Sequence, residues 1–408
     1  VTLTVDPDAG VVEGDQALRW TPPSDVDRLV FRLWANGPRA GRAGGRLEIV
    51  DASVGERAVD LRYESGNAGP GTPGTILVLP GPFEAGRAVE VRITFRLTMP
   101  GTVNERVSQA GGALRLGSIL PTLAWIRGRG WHTSPAVDAF SESVASEVAD
   151  YDVTVSAPEG FAVLATGEEV EPGRFVAVAV RDWAATVGPM RLAEGPTAGG
   201  RTRIVVGVPE ASADDPERLL GIAIGAFDDF ASRYGPLPWP TVSVGVSAGL
   251  SGGIEFPGHI LLGVGTSRDH LVHEVGHMWF YALVGNDQYA DPWLDEGLTE
   301  YVEALHLGTL ASVRGREIPA DGRGRVGESH DYWASRTGVF FRSVYVQGAQ
   351  AMAALADAVG GVDVLDCALR RYVLEHAHQV ARPADLVRAV EDQTGVDPRP
   401  VLEGFGAL

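Results

Sequence analysis

Along the first half of the chain, apolar residues alternate with polar ones or cluster in short runs rich in β-branched and aromatic side chains. "RLVFRLWA", "RAVDLRYES", "TILVLPG", "VEVRITFRLTMP", "YDVTVSAP" and "RFVAVAVRDW" all show the pattern. Gly, Pro and Asp separate these runs at short intervals, which predicts an antiparallel sandwich or saddle over residues 1 to about 195. From about 201 the period changes. "RTRIVVGVP" reads as a strand. "DDPERLLGIAIGAFDDFASRYG" reads as a helix, with acidic residues at its start, apolar residues at helical spacing and Gly-Pro closing it. "TVSVGVSA" and "HILLGVG" read as strands flanking the glycine-rich "GGIEFPG". Helices are then expected over 268–284, 292–308, about 341–358, 361–378 and 383–394. The polar, Gly-rich "SVRGREIPADGRGRVGESH" breaks them, and its Arg/Gly run at 314–325 reads as a loop beside a cleft rather than an anion site.

The expected fold class is therefore α+β and multidomain. A β-rich domain occupies 1–195, and 196–408 holds a small mixed sheet plus a helical lobe. A chain of 408 residues exceeds what one core usually supports, in line with that division.

Composition narrows the partners. The balance of 34 basic against 53 acidic residues gives a net charge of −19. That argues against nucleic acid or an anionic membrane surface, since both need a basic footprint. Every basic residue is arginine, which carries no functional weight. The single cysteine, Cys367, cannot form an internal disulfide and is expected as a small buried apolar residue. No apolar run reaches the roughly 18 residues of a membrane span, so no integral membrane segment is expected. The chain starts at Val1 rather than at methionine, and the expected location is secreted or cell-envelope after leader removal, with the cytoplasm as the alternative.

The chemistry concentrates after residue 250. His273-Glu274-Val275-Gly276-His277 is an HExxH motif. Residues four apart share one helical face, so both imidazoles can reach one ion. Glu274 lies about 100° around the helix, beside the metal rather than on it. A catalytic zinc takes three protein ligands and keeps one open position. Glu296, in "DPWLDEGLTEYVEAL", is the candidate third ligand, with eighteen residues between it and His277. Glu296, Glu300 and Glu303 form one helical stripe.

This spacing resembles the gluzincin aminopeptidases, the aminopeptidase N and leukotriene hydrolase family of zinc metallopeptidases. In that family a glycine-rich strand with a Gly-x-Met-Glu pattern precedes the zinc helix. "GGIEFPG" is similar, with Ile254 where methionine is usual. Trp293 to Gly297 matches a "WLDEG" segment, and Tyr345 to Ala349 matches "Tyr-x-Lys-Gly-Ala" with Gln347 in place of lysine. The resemblance implies an N-terminal β saddle, a thermolysin-like catalytic domain and one Zn2+ per chain held by His273, His277 and Glu296. It implies a zinc-dependent aminopeptidase that hydrolyses the N-terminal bond of peptides with a free N-terminus. Glu274 would be the general base for the attacking water, and Tyr345 would donate to the oxyanion. Glu255 would bind the substrate amine, and the missing side chains of Gly252 and Gly253 would let the substrate approach. Glu303 would orient a ligating histidine, with Glu300 as the competing candidate. The chain would be a short form lacking the family's large C-terminal helical domain. "GGALRLGSILPTLAW" offers no second amine-binding carboxylate or amide. Two other readings stay open: a thermolysin-type endopeptidase, which would not need Glu255, and a non-catalytic binding protein that keeps the fold.

Overall fold

The computed structural model describes residues 1–139 and 144–408. Among these, the N-terminal half follows the alternating pattern. Strand Val89–Thr98 buries Val89, Val91, Ile93, Phe95 and Leu97 and exposes Glu90, Arg92 and Arg96. It lies between Val11–Trp20 and Arg46–Val54 in an eight-stranded sheet. Two four-stranded sheets, built around Ala184–Gly188 and Val26–Arg32, share one core with it: Leu3, Val12, Leu29, Phe31, Leu114 and Val187 pack together.

A five-stranded sheet in the second half has the order Met190–Pro196, Arg203–Pro209, Thr241–Ser247, His259–Gly263, Gly253–Phe256. The inner pairs are parallel and the outer pairs antiparallel. Its first strand, Met190–Pro196, lies almost wholly on the N-terminal side of the expected 195/196 division. Every residue of Thr241–Ser247 and His259–Gly263 is buried, because both faces of a partly parallel sheet are covered. Helix Pro216–Tyr234 packs against this sheet, its entry capped by Asp215, whose carboxylate accepts from the Glu217 N–H at 3.1 Å. Gly253–Phe256 is the edge strand.

The helix expected over 268–284 runs only over Arg268–Gly276. Beyond it the backbone widens, and the N–H groups of Ala282, Leu283 and Val284 donate five residues back, at 2.9, 3.2 and 3.1 Å. Tyr281 takes φ 140° within this turn, a costly conformation for a bulky residue. Buried Arg181, from the N-terminal half, collects the carbonyls that a longer helix would have used internally. Its Nε donates to Ala282 O at 3.2 Å and its Nη2 to Leu283 O at 3.3 Å. Gly285 leaves room for the guanidinium: a Cβ there would stand 2.2 Å from Arg181 Nη1. Residues Met278 to Val284 are all buried, so the sequence carries no polar face to mark the helix end.

The remaining helices, Trp293–Leu307, Gln347–Val359, Val362–His376 and Pro383–Thr394, fall close to the expected ranges. Cys367 is exposed on helix Val362–His376, contrary to the expectation of a buried thiol, because its position lies outside the stripe of Leu365, Ala368 and Leu369. Helices Trp293–Leu307 and Gln347–Val359 cross backbone to backbone at two glycines. A Cβ on Gly297 would lie 2.9 Å from Gly348 Cα, and one on Gly348 would lie 2.7 Å from Gly297 Cα.

Gly297→Ala is therefore expected to destabilise the fold by about 1–3 kcal/mol, the usual cost of overpacking a contact that only backbone movement can relieve. Gly221→Ala, at an exposed helical position with open space around the new methyl, is expected to stabilise by about 0.5–1 kcal/mol. Urea unfolding of the two variants checks both signs; a neutral Gly297→Ala would mean that the helices do not cross this closely.

Candidate metal centre

The histidine helix starts after Ser267, whose hydroxyl bonds His270 Nδ1 at 2.8 Å. It delivers His273 in its last turn and His277 at its C-cap. Both imidazoles turn Nε2 toward the same oxygen: Glu296 Oε2 lies 3.2 Å from each. The other ring nitrogens are held from behind. His273 Nδ1 donates to Glu303 Oε2 at 2.9 Å, with Glu300 Oε2 further away at 3.8 Å. His277 Nδ1 lies 3.0 Å from the Phe280 carbonyl, which the wide turn folds back beneath it. A carbonyl only accepts, so that contact puts the proton on Nδ1 and leaves Nε2 as the ligating atom. Partners of this kind orient metal-binding histidines.

The donor set fits a tetrahedral divalent cation. His273, His277 and Glu296 offer three ligand atoms within 4.8 Å of one another, all buried. Donors each bound at about 2.0–2.2 Å around a tetrahedral zinc stand roughly 3.3 Å apart, close to the spacing found here. In the metal-free protein, burial opposes charge on His277, but Glu255 and Glu296 outweigh it and raise its pKa to about 10. His273 is likewise disfavoured by burial, yet Glu296 and Glu303 hold it well above the usual histidine range. Burial pushes the Glu296 carboxyl up, but His277 and His273 pull it down to about 2.

Glu274 is buried beside these ligands, and burial raises its pKa to about 8 despite His277. Its Oε2 has no hydrogen-bond partner among the described residues. Glycine at 253 is required by this side chain. A Cβ there would stand 2.4 Å from Glu274 Cγ, so the space expected for substrate is already filled by the glutamate. At Gly252 the backbone itself needs glycine, at φ 85°.

Glu255 points into the same site from the edge strand, 3% exposed, with an oxygen in one cluster with Glu274 and His277. Burial, foremost, raises its pKa. Tyr345 sits in a π-helical turn, Arg342–Val346. Its hydroxyl donates to Glu296 Oε1 at 2.5 Å, and its ring stacks on His273 with centroids 5.7 Å apart and planes 18° apart. A cleft of about 580 Å³ opens onto all these groups and is also lined by Gly252, Arg316, Phe340 and Phe341. A larger cavity of about 910 Å³, against Leu18, Trp20 and Trp125, carries none of them.

Sequence reasoning missed Gln288. Its Nε2 donates to Glu255 Oε1 at 2.9 Å and to Asp295 Oδ2 at 2.8 Å. Asp295, whose pKa burial raises to about 8, also accepts from Asn286 at 3.0 Å. Gln288 is fixed by reciprocal bonds with Val144, and its neighbour Asp287 pairs with Arg129 at 2.8 Å and His132 at 3.3 Å. Nothing in the local pattern of "GNDQYAD" marks these residues; the one available signal was the unexplained aspartate in "WLDEG".

Residues 266–405 match the Peptidase family M1 domain. Over 149 residues the chain is 30% identical to "Probable M1 family aminopeptidase 1" of Encephalitozoon cuniculi, a match covering 33% of this chain and 17% of that protein. Over 142 residues it is 30% identical to the membrane alanyl aminopeptidase of Heliothis virescens, covering 30% of this chain and 13% of that one. The chain thus spans less than a fifth of the curated relatives it matches. The fold is that of a solved M1 zinc metallopeptidase from Deinococcus radiodurans, with TM-score 0.67 at 18% identity over 100% of this chain and 93% of that one. A mutant of the Deinococcus radiodurans protein, with a Tyr-Ser-Ala substrate bound, gives TM-score 0.68, also at 18% identity and the same coverage. The segment that carries the HExxH pair and the distant glutamate thus matches peptidase family M1 in sequence, and the whole chain shares the fold of an M1 zinc metallopeptidase.

Proposed function

We propose that this chain is a zinc-dependent aminopeptidase that releases the N-terminal residue of peptides with a free amine. The observation that carries the reading is Glu255. It is a buried carboxylate on the edge strand, grouped with Glu274 and His277 and outside the His273, His277 and Glu296 set. A metal-assisted hydrolase does not need a further carboxylate there; a site for an α-ammonium does.

His273, His277 and Glu296 would hold the zinc, which when bound supplies Lewis acidity and lowers the pKa of water. The substrate backbone pairs with the outer edge of Gly253–Phe256, the last strand of its sheet, as in strand addition. Glu255, held by Gln288, accepts the ammonium and fixes the register, so that the first carbonyl lies over the histidines. Glu274 takes the proton of the attacking water and hands it to the leaving nitrogen. Its unpaired Oε2 and its burial beside His277 support that role. Tyr345 donates its hydroxyl to the oxyanion, a role supported by its position between Glu296 and His273. The cleft excludes bulk water from the lower part of the site, where Glu255 and Glu296 are almost fully buried.

Release of 7-amido-4-methylcoumarin from aminoacyl substrates, run beside their N-acetylated forms, tests the reading. Free-amine substrates should turn over and blocked ones should not. Glu255→Ala should lower kcat/KM by an amount equivalent to about 2–5 kcal/mol. Glu274→Gln should lose about 10²–10⁴ in kcat, and Tyr345→Phe about 10²–10³. Equal turnover of blocked substrates would make the protein an endopeptidase instead.

Metal loading should also be coupled to protons. In the metal-free protein the raised pKa of His273 and of His277 means that both are charged at pH 7. Each must give up its Nε2 proton to bind a metal. Titration of zinc into the metal-free protein at pH 7 is therefore expected to release about two protons. They would be read as the change of apparent enthalpy between buffers of different ionisation heat. An affinity that did not rise with pH between 6 and 8 would contradict this.

A further inference from the structure

The cleft is lined by acids: Glu255, Asp269, Glu274, Glu296, Glu300 and Glu303. Arg316 is the one arginine among the described residues that line it. Its backbone is pinned. The N–H donates to Val313 O at 3.1 Å at the end of helix Leu310–Gly315, and the carbonyl accepts from Gln350 Nε2 at 2.9 Å. Its side chain is 49% exposed and reaches Glu300 Oε1 at 3.6 Å, its one acidic neighbour within 4.0 Å among the described residues. That separation is an ion pair too long to be a hydrogen bond. A guanidinium has five donors in a planar fork suited to a carboxylate, and this loose pair leaves the fork available to a second one.

The amine-binding candidate and the fork open onto one cleft. Glu255 clusters with Glu274 and His277, whereas His273 clusters with Glu300 and Glu303. Arg316 stands next to Glu300, which lies behind His273, and both Glu255 and Arg316 line the same cleft. For a peptide with its ammonium on Glu255 and its first carbonyl over the histidines, Arg316 is the one guanidinium among the described residues lining the same cleft.

We propose that Arg316 binds the free C-terminal carboxylate of the substrate, making short peptides with both termini free, di- and tripeptides, the preferred class. The inference rests on the aminopeptidase reading above and deepens it. A cleft of about 580 Å³ lies in the range that encloses one small ligand of this size. Arg316 lies within the run at 314–325 that the sequence reads as a loop beside a cleft rather than an anion site; its side chain, set between a buried carboxylate and the open cleft, gives that run a recognition role.

The test uses the full chain, loaded with zinc. For the N-terminal residue most active with coumarin substrates, di-, tri- and tetrapeptides are compared as free acids and as C-terminal amides. The expected result is a preference for acid over amide of about 10- to 100-fold in kcat/KM, as for a charge-assisted bidentate contact, largest at two or three residues. In Arg316→Gln the acid-to-amide ratio falls toward one. Arg316→Lys, which keeps the charge but loses the fork, lies between. An acid-to-amide ratio near one in the unmodified protein overturns the proposal. So does an equal loss on acids and amides in Arg316→Gln, which would assign Arg316 to the support of Glu300. If the coumarin substrates themselves are not cleaved, the aminopeptidase reading fails and this proposal fails with it; cleavage of those substrates without acid preference sinks this proposal alone.

Discussion

Glu296 is the group on which the rest of the site depends. Its Oε2 faces both histidine Nε2 atoms and its Oε1 accepts from Tyr345, all at 4% exposure. A carboxylate so far from water stays ionised only if positive charge stands beside it. Around it, burial first and neighbouring carboxylates next raise Glu274 and Asp295 to about 8 and Glu300 to about 7. A pocket that concentrates acids to this degree is built for cations. Imidazolium supplies that charge in the metal-free protein, and a divalent metal on the same donors can supply it instead.

Close backbone packing brings these acids to one point. Gly297 and Gly348 let the glutamate helix and the tyrosine helix cross without side chains between them, which is how Tyr345 comes to touch Glu296. Gly276 does the same on the other side, where a Cβ would meet Thr299 Cγ2 at 2.8 Å. Thr299 in turn stands 3.2 Å from His277 Nδ1. The glycines are therefore part of the site's geometry even though none of them carries chemistry.

The N-terminal half takes part without supplying a ligand. Two buried arginines collect loose carbonyls on either side of the centre. Arg181 does so after the histidine helix, and Arg115 before the edge strand, donating to Ala248 O at 2.5 Å and to Ser247 Oγ at 3.0 Å. Arg129 and His132 hold Asp287, and through it the segment that brings Gln288 to Glu255. Such tethers satisfy irregular backbone that would otherwise be buried without partners.

What the chain determined by itself was whatever depends on neighbours in sequence. The β-rich half, helix Pro216–Tyr234 and helix Pro383–Thr394 follow from periodicity and end signals. His273 with His277, and Glu296 with Glu300 and Glu303, follow from helical spacing. Tertiary structure decided what depends on contacts across long separations. The end of the histidine helix depends on Arg181, about a hundred residues away, and the need for glycine at 253 depends on Glu274. The carbonyl and carboxylates around Gln288, and Arg316 beside Glu300, meet only in the folded chain. The exposure of Cys367 was settled by which stripe of its helix found a partner. A local pattern states which face of an element is apolar, but not what stands opposite it, and the charges in this site are defined by what stands opposite.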